Sequence, residues 1–368
     1  MELMKKEFRH PKGVESTQSF VDDSARRDLT INSLGLTKDG EIVDYQGGVE
    51  DLKNKLVRAV GEPKQRFEED ALRLIRTMRF AAKLGFAIEP KTLQAAKELN
   101  HLIDTVSVER VHDELFKVAD GGGSALANFI EHMDESGMLE RVLPEIKVLQ
   151  GMEQPKEHHP EGDAYQHTLA ALRTSRSKDP LTNLAIMFHD IGKNKEVHKV
   201  VDGRSTYFGH HSEGAKLFDK IADRLKFSND EREAIKFVID NHMLGYQMKQ
   251  GMKKSTMLAM RNSPYWEHLK ECFYADIMSR GIPSRIDDFN EIVDKLDHIQ
   301  KVMGEKEAFE KKMSALVDGR FIMNLIPGII GQDIGTIKNQ TREWIVKNDF
   351  KVSKDQVADY IKKAGMML

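Results

Sequence analysis

A chain of 368 residues, 40% hydrophobic and 31% charged, has room for two or three domains and a globular rather than disordered or membrane composition. Its formal charge of -3 excludes a global field for polyanions, so any nucleic-acid site must be a local patch. The single cysteine, Cys272, excludes a disulfide framework and a thiolate zinc site. With no signal-peptide pattern in "MELMKKEF" and no apolar run of bilayer length, a cytoplasmic location is expected.

Before about residue 60 the pattern has period two. "DLTINSLGL" alternates, "TKDG" supplies a turn and "EIVDY" a second short strand, which predicts a hairpin. Arg26, Arg27 and Asp28 crowd the entrance of the first strand. Beyond Gly61 the pattern is helical. "EEDALRLIRTMRFAAKLGF" puts Leu72, Ile75, Met78 and Ala82 on one face and stops at Gly85. "SVERVHDELFKVA" is a further amphipathic helix, closed by the linker-like "DGGGS", and "GMLERVLPEI" ends a helical pair at a proline. From about Leu149 to Val302 comes a histidine-rich loop followed by several helices. The remaining segment is basic and polar, with one apolar, hairpin-like piece, "FIMNLIPGIIG".

Two His-Asp doublets occur. His112-Asp113 lies on a regular helix with Arg110 and Glu114 at i, i+4, and reads as a solvated face with local ion pairs. His189-Asp190 follows the apolar "LTNLAIMF" and so terminates a buried helix just before Gly192. Burying an imidazole and a carboxylate together is costly unless something pairs them. Other candidates recur around this doublet: His167, His210, His211, His242 and Asp276. Mixed imidazole and carboxylate ligands suit Mg, Mn, Fe, Ni or Zn and leave positions for water. Lys193, one turn on, is placed to assist with phosphate charge. The ordered set resembles the HD phosphohydrolase superfamily. That resemblance implies metal ligands at His167, His189, Asp190 and Asp276, with His210 and His242 matching the extra histidines of more elaborate members and His159 at the pocket mouth. It also implies Ni, Mn, Fe or Mg as the metal, and His189, Asp190 and Lys193 as catalytic groups.

The N-terminal third carries a second constellation. Arg27 and Asp28 are suited to hold a ribose and phosphates, with Asn32 on the same face as Asp28. Gly47-Gly48 permits a tight turn flanked by Asp44 and Asp51. Arg73, Arg76, Arg79 and Lys83 recur at i, i+3 or i+4 as a basic stripe, from which Arg79 and Lys83 are expected to bind RNA. Asp70 and Arg73 offer an acceptor pair and a donor fork on adjacent turns of one helical face, able to read base edges. A basic stripe beside an apolar one is usually a solvated face, and a Gly-Gly turn usually only a turn.

Together, "RRDLTIN", "VDYQGGVEDLKNKLVR", "EEDALRLIRTMRF", "LGFAI" and "ESGMLERVLPEI" resemble the class II tRNA nucleotidyltransferases, which comprise the CCA-adding enzymes and bacterial poly(A) polymerases. The similarity runs from about Arg9 to Gly304 and is greatest to the bacterial branch with a C-terminal HD domain. It implies nucleotide binding by Arg27, Asp28, Asn32, Asp70, Arg73 and Arg76, with CTP and ATP as substrates, Mg2+ as cofactor and tRNA as partner. The expected fold class is mainly α: a partial α/β head (1–60), a helical neck and body (61–147), a helical HD domain (148–304) and a helical tail (305–368).

One departure matters. The family's Asp-x-Asp pair, which holds the Mg ions of transfer, occurs nowhere in the 368 residues. The sequence is therefore expected to start inside the head, without its metal-binding strands. Three readings remain open: a split nucleotidyltransferase completed by a separate polypeptide, a phosphohydrolase acting on 2′,3′-cyclic phosphates or related phosphoesters, or a non-catalytic module that binds tRNA or nucleotide.

Overall fold

The structure is a computed structural model and describes residues 19–157, 159–201, 204–281, 285–348 and 351–366. The start of the family resemblance near Arg9, and the opening of the 1–60 head, lie outside the described residues. The chain is mainly helical and forms two compact units. One runs to Lys253 and includes Ser263–Val293; the other combines Lys254–Asn262 with the chain from Asp294 onward. The change of unit thus falls within the helix Arg285–Leu316, whereas the sequence pattern divides the chain at 60, 147 and 304. Among the described residues no helix is long and apolar enough to cross a membrane.

The alternating "DLTINSLGL" does not form one strand. Asp28 Oδ1 accepts from the Leu29 N–H at 2.9 Å and from Asn32 Nδ2 at 3.2 Å, while Ser33 Oγ donates to the Leu29 carbonyl at 2.8 Å. These local bonds close a 3-10 turn over Thr30–Asn32, because short polar side chains offer the backbone an alternative to a ladder. Only Gly35–Leu36 stays extended, and it pairs antiparallel with Ile42–Val43 in the hairpin the turn residues predict. Leu56–Val57 runs parallel to Ala87–Ile88, and Leu29 bridges Ala59.

The Gly-Gly pair has structural causes. Gly47 sits at φ +78°, and a Cβ on Gly48 would lie 2.2 Å from the Thr30 carbonyl oxygen. Asp44 accepts from the N–H groups of Gln46, Gly48 and Val49, capping the helix Gly48–Lys53. Burial works against its charge, but these backbone donors outweigh it and hold the carboxyl below the usual range. Asp51 is buried, accepting from Thr30 Oγ1 at 2.6 Å and pairing with Arg58. Neither aspartate is left over for a ligand.

The helical part of this unit follows the apolar periodicity. Leu72–Leu84 buries Leu72, Ile75, Met78 and Ala82 and ends at Gly85 with φ +64°. "EED" does not belong to it: Pro63–Glu69 is a separate helix, and Asp70, at φ -149°, is the extended joint between the two. Val108–Ala119 is followed after only a short turn by Gly123–Glu135, so "DGGGS" is a turn rather than a linker. A Cβ on Gly123 would lie 2.0 Å from the Leu172 carbonyl, which explains the glycine. Pro144 opens the helix Pro144–Lys147, where the missing N–H costs nothing. The helices that frame the histidine cluster are Ala164–Thr174, Pro180–Phe188, His210–Leu225, Asn229–Asn241 and Trp266–Ser279.

The second unit has its own core of Met313, Val317, Ile322, Ile337, Ile345, Val357 and Ile361. "FIMNLIPGIIG" is not a hairpin. It holds the end of the helix Gly319–Leu325 and the turn into Gly331–Lys347. Trp344 stacks on Tyr360 of Lys354–Gly365 with ring centroids 4.6 Å apart.

Candidate functional site

The first site is a pocket of about 400 Å³ on the N-terminal third, lined by Arg27, Asp28, Asn32, Asp70, Arg73, Arg76 and Phe80. Six of the seven are the residues expected to bind nucleotide. Asp28 is its hub: Oδ1 fixes the local turn, and Oδ2 accepts from Arg76 Nε at 2.8 Å and Nη2 at 2.7 Å. Arg27 donates to Asp23 Oδ2 and, through Nη1, to the Asn32 carbonyl at 2.7 Å. Asp70 is the joint between two helices and Arg73 lies in the first turn of the second, rather than both lying on adjacent turns of one. Both Asp70 oxygens accept from Arg110 Nη2, at 3.2 and 2.9 Å. Arg73 donates to Glu69 Oε2 at 2.7 Å and to the Arg26 carbonyl at 2.8 Å.

The basic stripe is solvated only in part, with Arg79 buried and Lys83 exposed. Arg79 is buried, with Nε 2.5 Å from Glu114 Oε2 and its guanidinium 4.1 Å from the centroid of the Phe80 ring. Lys83 donates to the Lys117 carbonyl at 2.8 Å and reaches Asp120 at 3.4 Å. The i, i+4 pair expected between Arg110 and Glu114 is also absent. Arg110 turns to Asp70, and Glu114 serves Arg79 and Lys117. His112 packs against Phe116 and Phe227 with centroids 4.5 and 5.0 Å away, leaving Asp113 exposed.

The second site gathers His167, His189, Asp190, His210, His242 and Asp276, all buried and drawn from five helices or their ends. Helix geometry orients the imidazoles. His189, His210 and His242 donate Nδ1–H to the carbonyls of Ile186, Tyr207 and Ile239, three residues earlier, at 2.7, 2.8 and 2.7 Å. A carbonyl only accepts, so in the neutral imidazole the lone pair is on Nε2 and turned inward. His167 differs: Nδ1 lies 2.6 Å from Glu161 Oε1 and Nε2 3.0 Å from Asp276 Oδ1, and although burial works against the imidazolium these two carboxylates raise its pKa. Close approach of the His210 helix requires Gly192, whose Cβ would sit 1.9 Å from the His210 carbonyl oxygen.

Asp190 divides the set. Its Oδ2 is 3.3 Å from His189 Nε2 and 3.6 Å from His167 Nε2, while Oδ1 is 3.4 Å from His210 and 3.5 Å from His242. Asp276 Oδ1 lies 3.0 Å from His167 Nε2. Nitrogen lone pairs and carboxylates facing one another inside a protein call for positive charge, and this donor set fits divalent cations. Three-ligand groups form at His167, His189 and Asp190, and at Asp190, His210 and His242.

The charges around the centre keep the carboxylates ionised. Burial disfavours the Asp190 charge, but His189 and Lys193 outweigh it and hold the carboxyl well below the usual range. Asp276 is likewise held down against burial, by Arg280 and His167. Burial pushes the His242 imidazole down to about 4, which favours the neutral, ligating form. Lys193 Nζ donates to Asp190 Oδ2 at 2.6 Å and to Gln154 Oε1 at 2.6 Å. His159 stands one step out, bound to Glu161 Oε1 at 2.9 Å and pushed by burial down to about 4. His211 is only half-buried, pairs with Asp240 and takes no part in the cluster.

Several neighbours carry no sequence signal of their own. Gln154 and Glu161 lie in an aperiodic loop, and Arg280 caps the end of the Asp276 helix, one turn after Asp276. Phe80 was within reach of pattern reasoning, because it stands at i+4 from Arg76 on the same helix.

Comparison with known proteins bears on the head and the helices that follow it. Residues 1–58 match the poly(A) polymerase head domain, and residues 85–149 match the probable RNA- and SrmB-binding site of polymerase A. The Multifunctional CCA protein of Teredinibacter turnerae is 31% identical over 285 residues, covering 74% of this chain and 67% of the relative. The Multifunctional CCA protein of Tolumonas auensis is 34% identical over 249 residues, with 65% and 58% covered. This chain therefore spans roughly six to seven tenths of the curated relatives it matches. In fold it is similar to the Bacillus stearothermophilus CCA-adding enzyme crystallised with CTP, at TM-score 0.54 and 19% identity, over 95% of this chain and 76% of that one. A tRNA nucleotidyltransferase complexed with a primer tRNA and an ATP analogue gives TM-score 0.51 at 19% identity, over 78% and 76%. The fold is that of a mainly helical protein, and the match over residues 1–58 marks a poly(A) polymerase-type head. The chain belongs to the class II CCA-adding enzyme and poly(A) polymerase family.

Proposed function

We propose that this protein acts on tRNA 3′ ends with CTP and ATP as nucleotide substrates, and that its histidine–aspartate centre is a metal-dependent HD phosphohydrolase site. The observation that carries the first part is the convergence of Arg27, Asp28, Asn32, Asp70, Arg73 and Arg76 on one pocket of nucleotide size. Arg27 and Arg76 supply charge for phosphates. Asp70 supplies an acceptor and Arg73 a donor for a base edge once they exchange Arg110 and Glu69 for the ligand. Phe80 offers a ring for stacking. Lys83 and the lysines of the C-terminal segment contribute the salt-sensitive part of tRNA binding. The protein works in the cytoplasm.

Nucleotide transfer also needs paired carboxylates for Mg2+, and no Asp-x-Asp occurs in these 368 residues. We therefore place those carboxylates on polypeptide outside these 368 residues. The test incubates the chain with tRNA lacking its 3′ end, labelled CTP and ATP, and Mg2+, with and without the head strands supplied as a second polypeptide. Addition only with the second polypeptide supports the reading; addition by the chain alone refutes the missing-carboxylate part.

The second part rests on the convergence of four imidazoles and two carboxylates, with three of the imidazoles oriented by backbone carbonyls at Nδ1. Mn2+, Ni2+, Fe2+ or Mg2+ bound there would lower the pKa of a water and neutralise phosphoryl charge. The chain itself keeps Asp190 and Asp276 ionised, keeps His242 neutral, and brings Lys193 to the edge of the centre. Hydrolysis of bis-p-nitrophenyl phosphate and 2′,3′-cAMP with Mn2+, lost on His189→Ala with Asp190→Ala, is the expected result. Hydrolysis that survives both changes overturns the metal assignment.

A further inference from the structure

Gln154 lies in the loop before Ala164–Thr174 and is only 7% exposed. Its amide orientation is not free. Lys193 Nζ has only donors to offer, so it must face the amide oxygen, and it does so at 2.6 Å. The NH2 group is therefore turned away from Lys193, and this buried Nε2 has no acceptor among the described residues. The same Lys193 donates to Asp190 Oδ2 at 2.6 Å, so the amide stands one ammonium group from the shared carboxylate of the centre. At the Asp276 end, Arg280 Nη2 donates to both Asp276 oxygens at 2.8 and 3.0 Å, and its buried Nε likewise has no acceptor.

Buried donors without acceptors are rare in folded proteins, because each gives up its hydration for nothing. Here they border a cluster whose own carboxylates point inward at imidazoles. A ligand that satisfies them must bring acceptors of its own. A phosphoryl group drawn to the centre brings at least two anionic oxygens, one for the centre and one for its edge. We propose that the Gln154 amide is a substrate-binding group of this site, receiving a non-bridging phosphoryl oxygen of the phosphoester, with Lys193 as the positioning residue that holds the amide in register. The inference rests on the phosphohydrolase reading and deepens it.

The test uses the full chain loaded with Mn2+. Gln154→Glu keeps an oxygen for Lys193 and replaces the NH2 by a carboxylate oxygen that repels phosphate. Gln154→Met keeps the length and removes the donor. Calorimetry measures Mn2+ and inorganic phosphate binding, and steady-state kinetics measures bis-p-nitrophenyl phosphate hydrolysis. Both variants are expected to bind Mn2+ within about threefold of wild type. The phosphate Kd and the KM are expected to rise about tenfold or more, with kcat changed far less, as loss of a charge-assisted hydrogen bond predicts. Phosphate bound equally by wild type and both variants means the amide holds only water, and overturns the inference while hydrolysis by the wild type stands. Loss of Mn2+ from both variants also overturns it, because Gln154 then supports the centre itself. Gln154-dependent phosphate binding without hydrolysis by wild type sinks the hydrolase reading and leaves the oxyanion site standing.

Discussion

Asp190→Asn attacks the metal centre at the one side chain that both histidine pairs share. Its Oδ2 stands 3.3 and 3.6 Å from the Nε2 atoms of His189 and His167, and its Oδ1 stands 3.4 and 3.5 Å from those of His210 and His242. Asparagine keeps the shape and one oxygen but removes the charge, so each of the two groups that share Asp190 loses its anion and keeps only two imidazoles. Changes one layer further out commonly weaken metal binding 10- to 100-fold. Loss of a shared anionic ligand is therefore expected to cost at least ~100-fold for each ion, roughly 2.7 kcal/mol at 1.36 kcal/mol per factor of ten. His242→Gln leaves His167, His189, Asp190 and Asp276 intact and strips only one group. The assay is Mn2+ titration read by the electron paramagnetic resonance of the free ion. Wild type should bind two ions, His242→Gln one tightly, and Asp190→Asn neither at micromolar concentration. Asp190→Asn binding both ions within threefold of wild type would refute the shared-carboxylate geometry.

The remaining predictions concern the head and neck. Arg79→Met should cost about 3 kcal/mol of stability in urea unfolding, because it leaves buried Glu114 short of its closest cation. It should leave the salt dependence of tRNA affinity unchanged, and a loss of about one unit in that slope would restore Arg79 as a phosphate contact. Asp44→Asn should cost about 1 kcal/mol at pH 7 by removing a charged cap from Gly48–Lys53. Because the folded carboxyl is held below its unfolded value, the stabilisation is present above about pH 4 and lost as the pH falls through the folded value. Thermal unfolding of both forms from pH 7 to pH 3 checks this, and a difference that does not shrink in acid contradicts it.

Much of this was legible in the sequence where local chemistry and periodicity agree. The apolar face of Leu72–Leu84, its stop at Gly85 and the buried helix ending at His189-Asp190 follow from residue spacing. The histidine set was picked out by its order, but apart from the apolar helix before His189-Asp190 the helices that carry its members were not located by the pattern. Failures came where a short polar side chain competed with the pattern. Asp28 and Ser33 fold an alternating run into a turn, and Asp70 breaks a helix that its apolar spacing would continue. The partners of charged residues were not readable at all. Arg79 finds Glu114, and Arg110 finds Asp70, across more than thirty residues of chain, and no local rule separates those pairs from a solvated stripe. Gln154 and Glu161 stand in an aperiodic loop, and only the folded chain brings them to the imidazoles.

The central claim is that the residues around Asp28 hold a nucleotide. The most direct measurement is equilibrium binding of CTP and ATP, in Mg2+, to the wild type and to Arg76→Met and Asp70→Asn, with Mn2+ binding at the histidine–aspartate centre as the check on folding. Wild type should bind both nucleotides. Arg76→Met should weaken both about tenfold or more through loss of a charge-assisted contact, and Asp70→Asn should change the preference between them. Nucleotide binding unaltered by either change, in variants that still hold Mn2+, would contradict the account.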